Sequence, residues 1–179
     1  MRELPSRLIG TIGGLIVATT MSVATAADAK DELVVALESK FDTMDRYQTH
    51  QVVMTNIAPL IWDSLFERDP TTGAIKPGLV TDFEIIDDTT WEFRLKDGVT
   101  FSNGNALTAE SVRFTIENWI LNPDVRSPVA SYYEFVHDIE VVNDLTFRLH
   151  TNEPYPLVLE RMQGVYVYDP EYVEDTGLE

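Results

Sequence analysis

Trp91-Glu92-Phe93-Arg94-Leu95-Lys96-Asp97-Gly98-Val99-Thr100-Phe101-Ser102-Asn103-Gly104 alternates apolar with charged side chains and then breaks into turn residues. Trp91, Phe93 and Leu95 fall on one side of an extended chain and Glu92, Arg94 and Lys96 on the other, so the spacing predicts a strand with one buried face. Asp97-Gly98 closes it, and Asn103-Gly104 predicts a tight turn where a left-handed residue is needed. Upstream, Phe83 and Ile85 alternate in the same way and Asp87-Asp88-Thr89 turns the chain, which gives an antiparallel hairpin with a single apolar face. Downstream, Thr108 is placed to cap a helix whose apolar stripe is Val112, Ile116, Trp119 and Ile120. Glu110 sits favourably in its first turn, and Asn122-Pro123 ends it.

Further out the same reading continues. Ile139 to Val142 and Thr146 to Leu149, joined through Asn143-Asp144, predict a second hairpin, and Leu157 to Met162 a short helix. Before the first hairpin, Asp69-Pro70-Thr71-Thr72-Gly73 is turn chemistry. His50 to Phe66 predicts a helix on Val53, Ile57, Leu60 and Ile61, with Pro59 marking a kink or a second start because it lacks a backbone donor. Glu38 to Thr49 is a polar loop, and Leu33 to Leu37 a short buried strand. The aromatic residues of the strands are expected in the core, and no internal repeat interrupts this order. The fold class is a mixture of α and β elements.

The N-terminus has a different character. Arg2 and Arg7 precede an apolar run from Leu8 to Val17 and then small residues, the layout of a secretory signal. Thr11, Gly13, Gly14, Thr19 and Thr20 interrupt the run, which disfavours the uninterrupted span of about 20 apolar residues that a membrane anchor needs. Ala24-Thr25-Ala26 fits the peptidase, so cleavage is expected between Ala26 and Ala27, with Ala27-Asp28-Ala29 as the fallback. The 179 residues contain no cysteine, which excludes a lipid anchor, disulfides and cysteine-ligated zinc. An exported chain without cysteine points to the periplasm of a two-membrane bacterium, with free secretion as the alternative. The net charge is −17, from 13 basic and 30 acidic residues. Such a field keeps a protein soluble and repels phosphate backbones and anionic lipid, so nucleic acid and membrane surfaces are not expected partners.

Catalytic patterns are missing. Neither G-x-S-x-G nor G-x-x-x-x-G-K occurs, and Gly10, Gly13 and Gly14 lie in the signal. His50, His137 and His150 do not have the i, i+4 spacing of a zinc hydrolase, and no calcium-loop spacing of acids occurs, so no metal or cofactor is expected. His137 and His150 read as surface residues flanking strands, whereas His50, at a loop-to-helix junction, is better placed for a contact. Two other classes stay open on the residues alone: a small secreted hydrolase using carboxylates or His50, and a stand-alone secreted interaction protein.

The hairpin-to-helix segment carries more information. Trp91 to Gly104, followed by Leu107-Thr108-Ala109-Glu110-Ser111-Val112, resembles the signature W-x-F-x-L-(R/K)-x-(G/A)-(V/A)-x-(F/W)-(S/H)-(D/N)-G leading to T-A-x-(D/E)-V in the extracellular solute-binding proteins of the dipeptide, oligopeptide and nickel ABC importers. Thr43-Met44-Asp45 is similar to the family's T-L-D-P motif, with Arg46 where proline is usual; Ile61-Trp62-Asp63-Ser64-Leu65-Phe66 is similar to I-Y-E-G-L. Ile75 to Val80 resembles P-x-L-A, and Ile139 to Leu149 with Glu153-Pro154-Tyr155-Pro156 resembles V-x-x-V-D-D-x-T-V-x-x-x-L-x-x-P-(Y/V)-P; Gln163 to Asp169 is only loosely similar.

The resemblance implies a periplasmic-binding-protein-like clamshell of type II, of which only part of the first lobe and the extra small domain fall within this chain. Residues 1–26 would be the signal, 27–66 the start of lobe I, 67–152 the extra domain, and 153–179 a truncated return to lobe I. It implies a monomeric binder, not an enzyme, which captures a peptide or related small solute and delivers it to ABC permease subunits in the inner membrane. Counting back without gaps from Ile61-Trp62-Asp63-Ser64-Leu65, the resemblance places His50, Gln51 and Val52 on the loop that contacts peptide backbone in oligopeptide binders. Ser127-Pro128-Val129-Ala130-Ser131-Tyr132 resembles S-P-Y-A-S-Y, whose first aromatic contacts ligand, and Val129 replaces that ring. Arg161 is a further candidate, for a ligand carboxylate that a guanidinium binds bidentately.

Overall fold

The computed structural model describes residue 36, residues 43–49 and residues 51–176. The expected signal with its cleavage between Ala26 and Ala27, the strand over Leu33–Leu37 (Ala36 apart) and His50 lie outside the described residues. The elements below all belong to one compact unit that begins at Leu37 and ends at Glu179.

The alternating segment forms the middle of an antiparallel sheet. Strands β3 (Val80–Asp87), β4 (Thr90–Leu95), β5 (Val136–Asn143) and β6 (Thr146–Thr151) stand in the order β3-β4-β6-β5. Register puts Phe93 opposite Phe83 on one side and Phe147 on the other, and Trp91 opposite Ile85 and Leu149. Opposed residues of an antiparallel pair share a face, so one face is apolar. Phe93 and Phe147 stack with centroids 5.1 Å apart. On the other face Arg148 lies between Glu92 (2.9 Å) and Glu140 (3.3 Å). His137 and His150 lie within β5 and β6 instead of flanking them.

The expectation that Phe83 and Ile85 are buried is corrected: they are 38% and 55% exposed. Their strand is at the edge, and helix α2 (Ala109–Arg113) and the π-helix that follows it (Phe114–Ile120) pack on the opposite edge, against β5. Periodicity reports which face a residue is on; whether that face is covered depends on the neighbour.

Thr108 caps α2 as expected. Its hydroxyl accepts from the Ser111 N–H and its own N–H donates to the Ser111 hydroxyl, both at 3.4 Å. The expected single helix then changes pitch to the π-helix, with Leu121 N–H donating to the Ile116 carbonyl five residues back. Thr115 sits at the change: its hydroxyl donates to the Ser111 carbonyl (2.8 Å) and accepts from the Tyr168 N–H (2.8 Å). Val112, Ile116, Trp119 and Ile120 are all buried despite the altered pitch. Asn103-Gly104 makes the expected turn, with Gly104 at φ +96°.

The helix expected over His50–Phe66 is shorter. Helix α1 covers Val52–Ile61 and contains Pro59; Phe66 begins strand β1 (Phe66–Arg68), which pairs with β2 (Ile75–Pro77). Leu65 and Phe66 are wholly buried, and their segment finds strand-like partners: Leu65 N–H donates to Val165 O (3.0 Å), and Ser64 bridges to Tyr166. The buried side of α1 is Val53, Met54 and Ala58, whereas Leu60 is 71% exposed. Gly78 allows the close approach that follows, since a Cβ there would stand 2.3 Å from the Ser64 carbonyl oxygen.

Helices α3 (Val158–Met162) and α4 (Pro170–Thr176) complete the elements. Between them runs the 165–168 stretch, to which the 43–49 loop is pinned. The Tyr47 hydroxyl donates to Tyr166 O (2.8 Å) and accepts from Tyr166 N–H (2.7 Å). Asp45 Oδ1 accepts from Tyr47 N–H (2.7 Å) and from the Tyr168 hydroxyl (2.8 Å), while Ser127 Oγ donates to Tyr47 O (2.7 Å). Among the described residues no helix is long and apolar enough to cross a membrane.

Candidate ligand-binding site

Three segments far apart in sequence converge on one hollow of about 160 Å³. The pinned loop supplies Arg46; the turn leading into a short 3-10 helix (Ala130–Tyr132) supplies Val129, with Tyr132 and Tyr133; and the end of α3 supplies Glu160, Arg161, Gln163 and Gly164. Gln163 also lines a neighbouring hollow of about 260 Å³ with Pro59, Trp62, Asp63, Ser64, Glu67, Arg68 and Tyr166. The two hollows share Gln163 as a lining residue.

Arg161 is held in place by neutral groups. Its Nε donates to the Tyr155 hydroxyl (3.1 Å), and its guanidinium carbon stands 5.2 Å from the centre of the Tyr132 ring, within cation–π range. The Tyr155 ring is in turn stacked on Phe135 at 4.1 Å. The bond to Tyr155 raises the guanidinium pKa, so Arg161 stays charged. Arg46 lines the same hollow. Its Nη1 donates to Thr49 O at 3.5 Å, and its Nε is buried with no hydrogen-bond partner.

Behind the arginines stands a layer of tyrosines. Burial pushes up the phenol pKa values of Tyr47, Tyr133, Tyr166 and Tyr168, with the Arg46 charge opposing it in all four and Arg161 in Tyr133. These phenols are neutral donors, and Tyr133 spends its hydrogen on Arg161 O (3.2 Å). The hollow therefore offers positive charge and aromatic walls. Among the described residues no three His, Cys, Asp or Glu side chains gather where they could hold a metal.

Two of the residues singled out in the sequence, Val129 and Arg161, meet in this hollow although 32 positions separate them. Val129 is only 4% exposed and belongs to the floor, while the ring of Tyr132 lies against Arg161. Gln51 and Val52 begin α1 and do not line the hollow. Arg46, Tyr132, Tyr133 and Gln163 were not named as site residues. For Arg46 the usable signal was its departure from the expected proline; Gln163 lay in the segment of loosest similarity.

Residues 74–177 match the family described as "Bacterial extracellular solute-binding proteins, family 5 Middle". The periplasmic oligopeptide-binding protein OppA of Haemophilus influenzae is 26% identical over 150 residues, which cover 74% of this chain and 27% of that protein. The glutathione-binding protein GsiB of Pectobacterium atrosepticum is 27% identical over 138 residues, 76% of this chain and 26% of that protein. The crystal structure of Haemophilus influenzae OppA in complex with RPPGFSPFR superposes with a TM-score of 0.69, covering 76% of this chain and 30% of that one. The chain thus spans little more than a quarter of the length of these curated relatives.

Proposed function

We propose a solute-capture role from the premise that this chain belongs to the bacterial extracellular solute-binding proteins, family 5. In this reading the protein is the periplasmic receptor of an ABC importer. It captures a peptide or a related small solute, closes on it as a clamshell, and hands it to permease subunits in the inner membrane. Residues 67–152 would form the extra domain, flanked by two pieces of the first lobe. The signal sequence would be removed between Ala26 and Ala27, and the receptor would act as a monomer.

The observation that carries this reading is the hollow shared by Arg46, Val129, Tyr132 and Arg161. A bound solute needs apolar and aromatic walls with a few fixed polar groups, and this hollow has both. Its own volume, about 160 Å³, and that of its neighbour, about 260 Å³, each fall below the roughly 300–1,000 Å³ of a complete ligand site. Such a half-site suits a receptor whose opposing lobe closes the cleft. By the family resemblance His50, Gln51 and Val52 would also contact the solute, although Gln51 and Val52 do not line this hollow.

Mass spectrometry of small molecules co-purifying with the protein from its native host tests the reading. A peptide or peptide-like solute released on denaturation is the expected result. A preparation that is empty across growth conditions, or that steadily hydrolyses glycosides or esters and loses this on His50→Ala, overturns it.

A further inference from the structure

Elsewhere in the described chain, several positive charges stand beside acids, and the others, Arg94, Lys96 and Arg126, are exposed to solvent. Arg68 pairs with Glu160, Lys76 with Glu67, Arg113 with Glu110, and Arg148 with both Glu92 and Glu140. In a chain with 30 acidic and 13 basic residues such partners are easy to find. Arg46 and Arg161 are exceptions inside a concave site: among the described residues neither has a carboxylate within 4.0 Å. Among the described residues the one acid lining their hollow, Glu160, is turned to Arg68. The neighbouring acid, Asp45, already accepts from two backbone N–H groups and the Tyr168 hydroxyl through Oδ1.

We propose that Arg46 and Arg161 together receive a carboxylate group of the captured solute, and that Arg46 sets the preference for it. The proposal rests on reading this hollow as part of the ligand cleft. Three observations support it. Among the described residues the Arg46 guanidinium has one acceptor, Thr49 O at 3.5 Å from Nη1, so most of its Nη donors are left for a bound group. Both guanidinium groups act on the phenol of Tyr133, so two like charges approach one hollow, and an anion between them removes their mutual repulsion. Their mounts are fixed in advance: Arg161 by Tyr155 and the Tyr132 ring, Arg46 by a loop whose next residue is clamped to both the N–H and the C=O of Tyr166. Guanidinium and carboxylate fit each other bidentately, and a hollow of about 160 Å³ has room for the end of a ligand, not for all of it.

A carboxylate can come from a peptide terminus or from an acidic side chain, and titration calorimetry with three synthetic probes separates these. The probes are tri-alanine, tri-alanine C-terminal amide, and the amide of alanyl-glutamyl-alanine, titrated into the full-length protein cleared of co-purifying solute. At least one carboxylate-bearing probe is expected to bind about tenfold or more tightly than tri-alanine amide, a gap typical of charge-assisted hydrogen bonds. Preference for tri-alanine assigns the terminus; preference for the glutamyl amide assigns the side chain. In Arg46→Met the advantage should shrink to within about twofold, while Arg46→Lys keeps part of it. Equal binding of all three probes by the wild-type protein overturns the carboxylate assignment and leaves solute capture standing. Failure of all three to bind overturns the assignment and counts against peptide capture as well. The comparison of probes on the wild-type protein does not depend on any variant folding.

Discussion

Tyr47 concentrates the logic of the fold in one side chain. It is buried, and its hydroxyl satisfies both backbone groups of Tyr166. Tyr47→Phe keeps the ring but strands a buried donor and a buried acceptor, at about 1–3 kcal/mol for each group left unpaired. Urea denaturation should show the midpoint falling with an unchanged m-value. An unaltered midpoint would mean that the 43–49 loop is held by other contacts. Nothing in the sequence around Tyr47 announces this clamp, because it spans 119 positions and depends on the path of the 163–168 stretch. Arg161 was legible as a guanidinium able to meet a carboxylate, and Val129 through its setting in Ser127 to Tyr132. That both share a hollow with Arg46 is a product of chain path, which no local spacing encodes.

Among the elements, those with a strict period were the most readable. β4 and the two strands of the second hairpin follow the alternation of Trp91, Phe93 and Leu95 and of Phe147 and Leu149, and the helix start follows Thr108. Two features resisted. The exposure of Phe83 and Ile85 depends on the helical layer covering the opposite edge of the sheet. The π-helix depends on a contact from outside the helix, the Tyr168 N–H donating to the hydroxyl of Thr115. Thr115→Val retains the shape but removes the acceptor for Tyr168 and the donor to Ser111, so it should destabilise by about 1–3 kcal/mol. Amide exchange should quicken at Tyr168 in this variant. Unchanged exchange there would separate the π-helix from the 163–168 stretch and contradict the coupling.

For the molecule as a whole, the layer of buried phenols gives a pH signature. Tyr47, Tyr133 and Tyr168 have folded pKa values raised above the ordinary 10.0, chiefly by burial. A raised pKa means that the folded state holds its proton more tightly than the unfolded state. The associated stability is therefore complete below about pH 10 and declines as pH rises further. Tyrosinate absorbance should rise in two stages, exposed phenols first and the buried ones only together with loss of native circular dichroism. A single titration near pH 10, with structure intact, would contradict the burial described.

The proposed seat of the solute is the wall formed by residues 46–49, 129–133 and 161–166. Hydrogen–deuterium exchange on the full-length protein, with its co-purified solute removed and then restored, tests this most directly. Restoring the solute should slow exchange in those three segments, while the outer strands β3 and β5 change little. Protection confined to other regions, with these segments exchanging as fast in the presence of solute as in its absence, would contradict it.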